Sequence, residues 1–265
     1  MIVVRERWRA HLLAWLHRAE ARAIARELDA ELVTFRLPLP KGPLLLRLSD
    51  AEMLRVSHEL TRLGVPYLGP RPSVMSVCYD KLQATRLVEA EGLHCPLTLY
   101  RTADAAPKFP LIAKPRHGSD SLGVRLLRRG PLPPRYRSER YLVQEHVQGT
   151  ELTVAVLGER VGRPIEIALA PGTIYTFTRK YLRRARRGVL ADLQLSRRAR
   201  ESALKIARLL GVNWVARVDF MAEPGGRLCF LECDVAPMLG PSSAFAMSLA
   251  AAGIERAEQL ALLTK

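Results

Sequence analysis

Cysteine is scarce, with four residues in a chain of 265, too few and too scattered for a disulfide framework. Cys229 and Cys233 share one face of a predicted strand, but three residues separate them and no partner pair exists elsewhere. They read as plain buried thiols rather than zinc ligands. Apolar runs long enough to span a membrane are missing. The N-terminus does not read as a secretory leader either, because Arg5, Arg7 and Arg9 interrupt the residues where its apolar stretch would lie. The expected location is the cytoplasm, with no membrane partner. Internal repeats and low-complexity segments are absent.

Acidic residues are outnumbered, 26 against 41 Lys and Arg, for a formal charge of +15. Such a field attracts polyanions. The basic residues are mostly arginines spread along the chain, with one cluster at Arg183, Arg184, Arg186 and Arg187. No zinc finger and no aromatic-interleaved platform accompanies them, so nucleic acid is the least favoured partner. An Arg-rich solvated surface, or an anionic substrate such as ATP, accounts for the excess.

Apolar content of 48% and a length of 265 residues suit an ordinary globular protein of two or three modest units. The pattern predicts a helix from Arg5 to Leu28, with Trp8, Leu12, Trp15, Leu16, Ala19, Ala23 and Ile24 on one face. Short strands follow at 32–35 and 44–48, and Ser49 with Glu52 reads as a capping box opening a helix to about Leu63. After a Pro-rich joint at 70–72, a helix at 80–91 precedes strands near 110–114, 123–127, 141–147, 151–157 and 165–170. A helix capped by Ser196 ends at Gly211. A hairpin pairs 214–221 with 227–233, and helices near 242–252 and 254–263 close the chain. The fold class expected is mixed α/β, with boundaries near residues 70 and 148.

Three stretches carry chemistry. In the first, an apolar strand from Pro110 delivers Lys114, and a loop of small residues, Gly118 to Gly123, leads into a second strand. Glycine and serine let backbone N–H groups approach an oligophosphate, and a lysine at the strand end adds fixed positive charge. The lysine precedes the glycines and a strand follows, so this is no Walker loop; a bare turn with a surface lysine would look the same. In the second, a strand ends in Gln144, Glu145 and Val147, turns at Gly149 and presents Glu151. A strand end of this kind can pair with adenine and the carboxylate with ribose, although an ordinary hairpin with Glu151 solvated is equally compatible. The third weighs most. Arg217 and Asp219 share a face of one strand, and Glu232 and Asp234 share a face of the next. Antiparallel pairing would gather three carboxylates and a guanidinium inside an apolar sheet, where unpaired charge is expensive. Oxygen ligands of this type suit Mg²⁺ bridging nucleotide phosphates; the alternative is a structural salt bridge.

In this order the motifs resemble the ATP-grasp superfamily, and specifically the D-alanine–D-alanine ligase family, from about Gly69 to Gly253. The resemblance implies an ATP-grasp fold behind a shortened N-terminal α/β domain: residues 1–70, then a central subdomain at 71–148 and a C-terminal one at 149–265. It implies that Lys81 and Lys114 contact ATP, with Ser119, Ser121 and Gly123 in the phosphate loop. Gln144, Glu145 and Val147 would clamp adenine, with Glu151 on the ribose and Leu231 under the base. Asp219, Glu232 and Asp234 fall on the positions that hold Mg²⁺, with Mn²⁺ the alternative ion. Arg217 matches the oxyanion-stabilising arginine, Lys180 the lysine that approaches the γ-phosphate, and Ser243 lies near a serine that receives a substrate carboxylate. With Ser121 these three are the implied catalytic positions.

The implied activity is ATP-dependent amide or peptide bond formation through an acyl phosphate. Its substrates would be a small-molecule carboxylate and amine, and a homodimer is left open. Three departures stand out: Asp234 replaces asparagine, Pro237-Met238 replaces Pro-Gly, and the glycine-rich first turn and His-Gly segment of the first-substrate pocket are missing. They point to an amino acid or peptide other than D-alanine, with an acidic one favoured by the arginine excess. A ligase of peptide or protein carboxylates, or a silent nucleotide-binding module, are the alternatives.

Overall fold

The computed structural model describes residues 1–7, 14–99, 108–169, 173–174 and 185–265. Three sheets organise them. The first is all parallel, in the order β2-β1-β3-β4, with β1 at Ile2–Arg5, β2 at Glu31–Thr34, β3 at Leu44–Arg47 and β4 at Tyr67–Leu68. Helices α1 (Ala14–Glu27) and α2 (Asp50–Arg62) connect its strands. The start of the chain corrects the helix expected from Arg5. Ile2, Val3 and Val4 are buried between two neighbouring strands, where β-branched side chains pack well.

The face of α1 is corrected too. Trp15 is 54% exposed, and the buried face carries His17, Glu20, Ala21 and Ile24. Periodicity favours apolar residues, but here two polar ones are buried because other segments supply their partners. Trp8 and Leu12 lie outside the described residues. The capping box is likewise not formed: the Ser49 hydroxyl donates to Glu6 Oε2 at 2.6 Å and makes no cap bond.

Past the proline joint, α3 (Pro72–Tyr79) opens with proline at its first turn, where the missing N–H does no harm. Asp80 then caps α4 (Lys81–Ala90), accepting from the N–H groups of Leu82 and Gln83. The second sheet, β6-β5-β7, is antiparallel and small: β5 at Leu111–Pro115, β6 at Arg125–Leu127 and β7 at Tyr141–Glu145. Its own core is Leu111, Ala113, Leu132, Tyr136 and Val143.

The third sheet runs β11-β10-β8-β12-β13, all antiparallel, with β9 (Arg160–Val161) hairpinned onto β8. Its strands are β8 at Thr150–Leu157, β10 at Ile165–Ala168, β11 at Arg186–Val189, β12 at Val215–Ala222 and β13 at Leu228–Asp234. Part of the arginine cluster is therefore an edge strand. Helix α5 (Leu193–Leu209) is capped by Asp192, which accepts from Leu195 N–H at 2.9 Å, and not by Ser196, which is buried in its first turns. Helices α6 (Ala244–Ala251) and α7 (Arg256–Leu263) complete the fold. Among the described residues no helix is long and apolar enough to cross a membrane. All four cysteines are buried free thiols.

One core cluster runs from Val4 and Leu46 of the first sheet through Met75 and Val88 to Val218 and Phe230 of the third. At the root of β8, Gly149 abuts the end of β12, and a Cβ there would run into the Ala222 carbonyl. Gly149→Ala is expected to cost about 1–3 kcal/mol, as overpacking does, read as a lower thermal midpoint; an unchanged midpoint would show that the strand end yields freely.

Candidate active site

The pairing of β12 with β13 sets Arg217 opposite Asp234 and Asp219 opposite Glu232, with a bulge just after Asp219. The alternation read from the sequence thus gathers four charges on one face. Arg217 Nε and Nη2 donate to Asp219 at 2.9–3.1 Å. Nη1 lies 3.1 Å from Asp234 Oδ2, and Nη2 lies 3.7 Å from Glu232 Oε1. Burial disfavours the guanidinium, yet Asp219 and Asp234 hold its pKa well above the usual arginine range. Burial raises the Asp219 pKa, against the pull of Arg217. From β8, Thr153 donates to Asp219 Oδ1 at 2.5 Å. The sequence contained a signal for that contact, since Thr153 alternates with Glu151 on the same face.

Lys81 and Lys114 approach from the other side. Lys81 Nζ donates to the Gly118 carbonyl and lies 3.6 Å from Glu232 Oε2. Its backbone is fixed as well: Lys81 N–H donates to the Arg116 carbonyl at 3.1 Å, and Arg116 forms a two-pronged pair with Asp80 at 2.7 and 2.8 Å. Lys114, at the end of β5, donates to the Leu231 carbonyl at 3.1 Å. Burial pushes its pKa down to about 8, with Glu232 opposing and Lys81 assisting. The loop between β5 and β6 turns through the left-handed region at Asp120 (φ 57°), Ser121 (φ 56°) and Gly123 (φ 76°). Positive φ values at these positions turn the chain tightly between β5 and β6.

Two cavities meet at Glu232. One, of about 140 Å³, is bordered by Lys114, Ser121, Gln144, Glu145, Val147 and Glu151, with Leu231 and Asp219 at its base. Gln144 and Glu145 have their side chains engaged already: Gln144 donates to Thr98 Oγ1 at 2.9 Å, and Glu145 accepts from Leu97 N–H at 2.9 Å. The other cavity lies among Lys81, Ser119, Arg217, Glu232 and Asp234. A larger apolar groove of about 1020 Å³, along residues 37–44, 63–68 and the C-terminus, lies away from these charges. Ser243 borders neither cavity; its hydroxyl accepts from Ala246 N–H at 3.1 Å and caps α6. Lys180 lies outside the described residues.

Sequence reasoning missed Asp50 and His17 here. Asp50, at the start of α2, borders the second cavity with Tyr79 and Asp120. An edge of Asp50 reaches solvent, but its protein surroundings raise its pKa to about 7, first by burial and then through the charges of Asp234 and Asp120. His17 Nε2 lies 3.6 Å from Asp120 Oδ2. Burial alone would lower the His17 pKa, but Asp120, with Glu6 and Asp50 behind it, raises it. No motif spacing connects residues 17, 50 and 120; only the docking of the first sheet against the β5–β6 loop does.

The sequence resemblance implies that Lys114 contacts a nucleotide, and affinity should then follow its charge. A lysine with a depressed pKa is cationic below about 8 and loses its charge above it. ADP affinity is therefore expected to fall as pH rises from 7 to about 9, with a proton taken up on binding at the upper end. Calorimetry in buffers of different ionisation enthalpy counts that proton. In Lys114→Ala, affinity should drop about tenfold or more and the uptake should vanish. Uptake surviving in that variant would move the titration elsewhere.

Residues 89–264 match the family model described as D-ala D-ala ligase C-terminus. The D-alanine–D-alanine ligase of Gloeobacter violaceus is 28% identical over 214 residues, covering 73% of this chain and 70% of that protein. That of Stutzerimonas stutzeri is 31% identical over 216 residues, 72% and 66% of the two. Among solved structures, a Bacillus anthracis D-alanine–D-alanine ligase complexed with ATP superposes with a TM-score of 0.78 at 19% identity, covering 99% of this chain and 94% of that one. The VanG D-Ala:D-Ser ligase of Enterococcus faecalis gives 0.78 at 18%, covering 99% and 97%.

Proposed function

Because this chain belongs to the D-alanine–D-alanine ligase family of ATP-dependent, carbon–nitrogen bond-forming ligases, we propose that it joins a small amino acid or peptide other than D-alanine to an amine through an acyl phosphate. The observation that carries this is the set of Asp219, Glu232 and Asp234 around Arg217, placed where the two cavities meet. Three carboxylates against one guanidinium leave two negative charges, a match for one divalent cation bound through oxygen. Mg²⁺, or Mn²⁺ in its place, would be held by those carboxylates and would neutralise the β- and γ-phosphates.

The remaining roles fall to the chain's own groups. Lys114 and Lys81 present positive charge to the oligophosphate, and the Ser119–Gly123 loop presents N–H groups and hydroxyls. Glu151 suits the ribose hydroxyls and Leu231 the base. The substrate carboxylate attacks the γ-phosphorus from the second cavity and displaces ADP, giving the acyl phosphate; the deprotonated amine then attacks its carbonyl carbon, Arg217 stabilises the oxyanion, and inorganic phosphate leaves as the amide forms. Lys180 would add charge at the γ-phosphate. Ser243 is the weakest of these assignments, because its hydroxyl already caps a helix.

Substrate choice rests on the second cavity, whose volume of about 30 Å³ holds about one water, so a substrate has to open it on binding. Its walls carry Asp50, Asp120 and Asp234 besides Lys81 and Arg217, which supports a substrate that brings an ammonium group. The basic surplus lies largely on the exterior, so the acidic amino acid favoured by composition is the weaker candidate. Met238 puts a side chain where the family resemblance implies glycine. The test is phosphate release with D-alanine alone against a panel of L-amino acids, acidic and basic ones included, and short peptides. Preference for another substrate is expected; clear preference for D-alanine would overturn the substrate assignment and leave the ligase chemistry standing.

A further inference from the structure

Helix α1 and strand β3 bring together two opposite charges whose bonds leave the unit they belong to. The Arg47 side chain is 0% exposed and that of Glu20 only 4%. Arg47 Nε and Nη2 donate to Glu20 Oε2 and Oε1 at 3.0 and 2.9 Å. Neither residue stops there. Arg47 Nη2 also donates to the Pro237 carbonyl at 2.7 Å, and Glu20 Oε1 accepts from Leu239 N–H at 2.6 Å. The pair therefore grips the backbone on both sides of Met238.

The gripped segment leads straight to the reaction centre. Ala236 N–H donates to Asp234 Oδ1 at 2.9 Å, and the other oxygen of Asp234 faces Arg217 at 3.1 Å. Asp234 and Val235 border the second cavity. From behind, Arg256 Nη1 donates to the Leu239 carbonyl at 2.8 Å while its Nη2 pairs with Glu27 of α1.

A buried ion pair kept for stability alone is replaceable by apolar residues without loss, since desolvation offsets its attraction. This one is not arranged for stability alone. Among the described residues the buried Arg47 Nη1 has no hydrogen-bond partner, a cost that a self-contained pair would avoid. What the pair supplies is geometry: charge-assisted bonds from a planar fork fix two backbone groups far away in the chain.

We propose that Glu20 and Arg47 are positioning residues for the substrate side of the site, holding residues 236–239, and through them Met238 and the Asp234 carboxylate, in their working arrangement. The selecting surface is then set from a pair that touches neither substrate nor nucleotide. The kinetic part of this rests on the ligase function proposed above; the structural part does not.

The experiment uses the full chain with Glu20→Gln, which keeps shape but removes charge, and the double variant Glu20→Leu/Arg47→Met. The double variant removes both charges together, so it folds even where a single change fails. Three readouts are taken: hydrogen exchange at residues 236–239, ADP affinity by calorimetry, and phosphate release against the concentration of the most active amino acid at saturating ATP. Positioning predicts at least tenfold faster exchange at 236–239 with β8 unchanged, ADP affinity within twofold, and a tenfold or greater rise in the amino-acid KM without one in the ATP KM. A structural pair predicts that the double variant behaves as the parent does. Parental exchange at 236–239, or ADP affinity falling in step with the KM, overturns the inference. If neither an amino acid nor a short peptide releases phosphate, the proposed function fails, and exchange with ADP affinity still decides this one.

Discussion

Glu232→Gln is expected to lower turnover by about a hundred- to a thousandfold while the protein stays folded. Glu232 is the one member of the charged set that reaches both cavities. Its oxygens lie 3.6 Å from Lys81 Nζ and 3.7 Å from Arg217 Nη2, two ion pairs longer than a hydrogen bond. Its side chain is 36% exposed, so its own charge is partly solvated, although the buried Lys114 loses one of the charges that support it. Stability should change by about 1 kcal/mol or less. Activity should not be spared. Glutamine keeps the volume and one oxygen, but it removes a negative charge where a divalent cation and two phosphates have to be balanced. Phosphate release in saturating Mg²⁺, measured beside the thermal midpoint, separates the two effects. Parental turnover in a folded variant would mean that Glu232 holds no metal.

The same site shows why some of the chemistry was legible in the sequence. Arg217, Asp219, Glu232 and Asp234 are two residues apart on adjacent strands of one hairpin. Strand alternation and a short turn then suffice to put them on one face. Lys114 and the Ser119–Gly123 loop were readable for a related reason, since a strand, a lysine and small residues are contiguous. Asp50 and His17 were not. They belong to α2 and α1, and nothing local marks the faces that meet Asp120 and Asp234. Glu20 is harder still. Helical periodicity predicts a charged residue in solvent at that position, and only Arg47, 27 residues on, and Leu239, 219 residues on, make it an interior one. Ser49 shows the same limit at a helix start: its pattern fits a cap, but the buried Glu6 carboxylate at 2.6 Å competes successfully for the hydroxyl. Local rules hold where partners are local.

Arg217→Met is expected to be the most damaging single change, in stability as well as activity. The guanidinium is 12% exposed and sits among Asp219 at 10%, Asp234 at 20% and Glu232. Removing it leaves three carboxylates facing one another, and breaking such a buried set costs about 3–5 kcal/mol. For a chain of this size that is a fall of roughly 6 to 20 °C in thermal midpoint. The pH dependence follows from the sign of the shift. Burial already raises the Asp219 pKa with Arg217 present, and without the Arg217 charge that opposes it the shift grows. A carboxyl whose folded pKa is raised destabilises above its unfolded pKa of about 4, increasingly until the folded pKa is passed. The deficit of the variant should therefore be largest near neutral pH and shrink as pH falls toward the unfolded carboxyl pKa of about 4, as Asp219 takes up a proton. A divalent cation should relieve it by the same logic. Added Mg²⁺ is expected to raise the midpoint of Arg217→Met more than that of the parent, because the cation replaces the lost positive charge among the same oxygens. It should not restore turnover, since the group that stabilises the oxyanion is gone. Calorimetric scans at two pH values, with and without Mg²⁺, provide all four comparisons. A deficit that is independent of pH and of Mg²⁺ would mean that Arg217 acts through packing, and that the three carboxylates form no cation site.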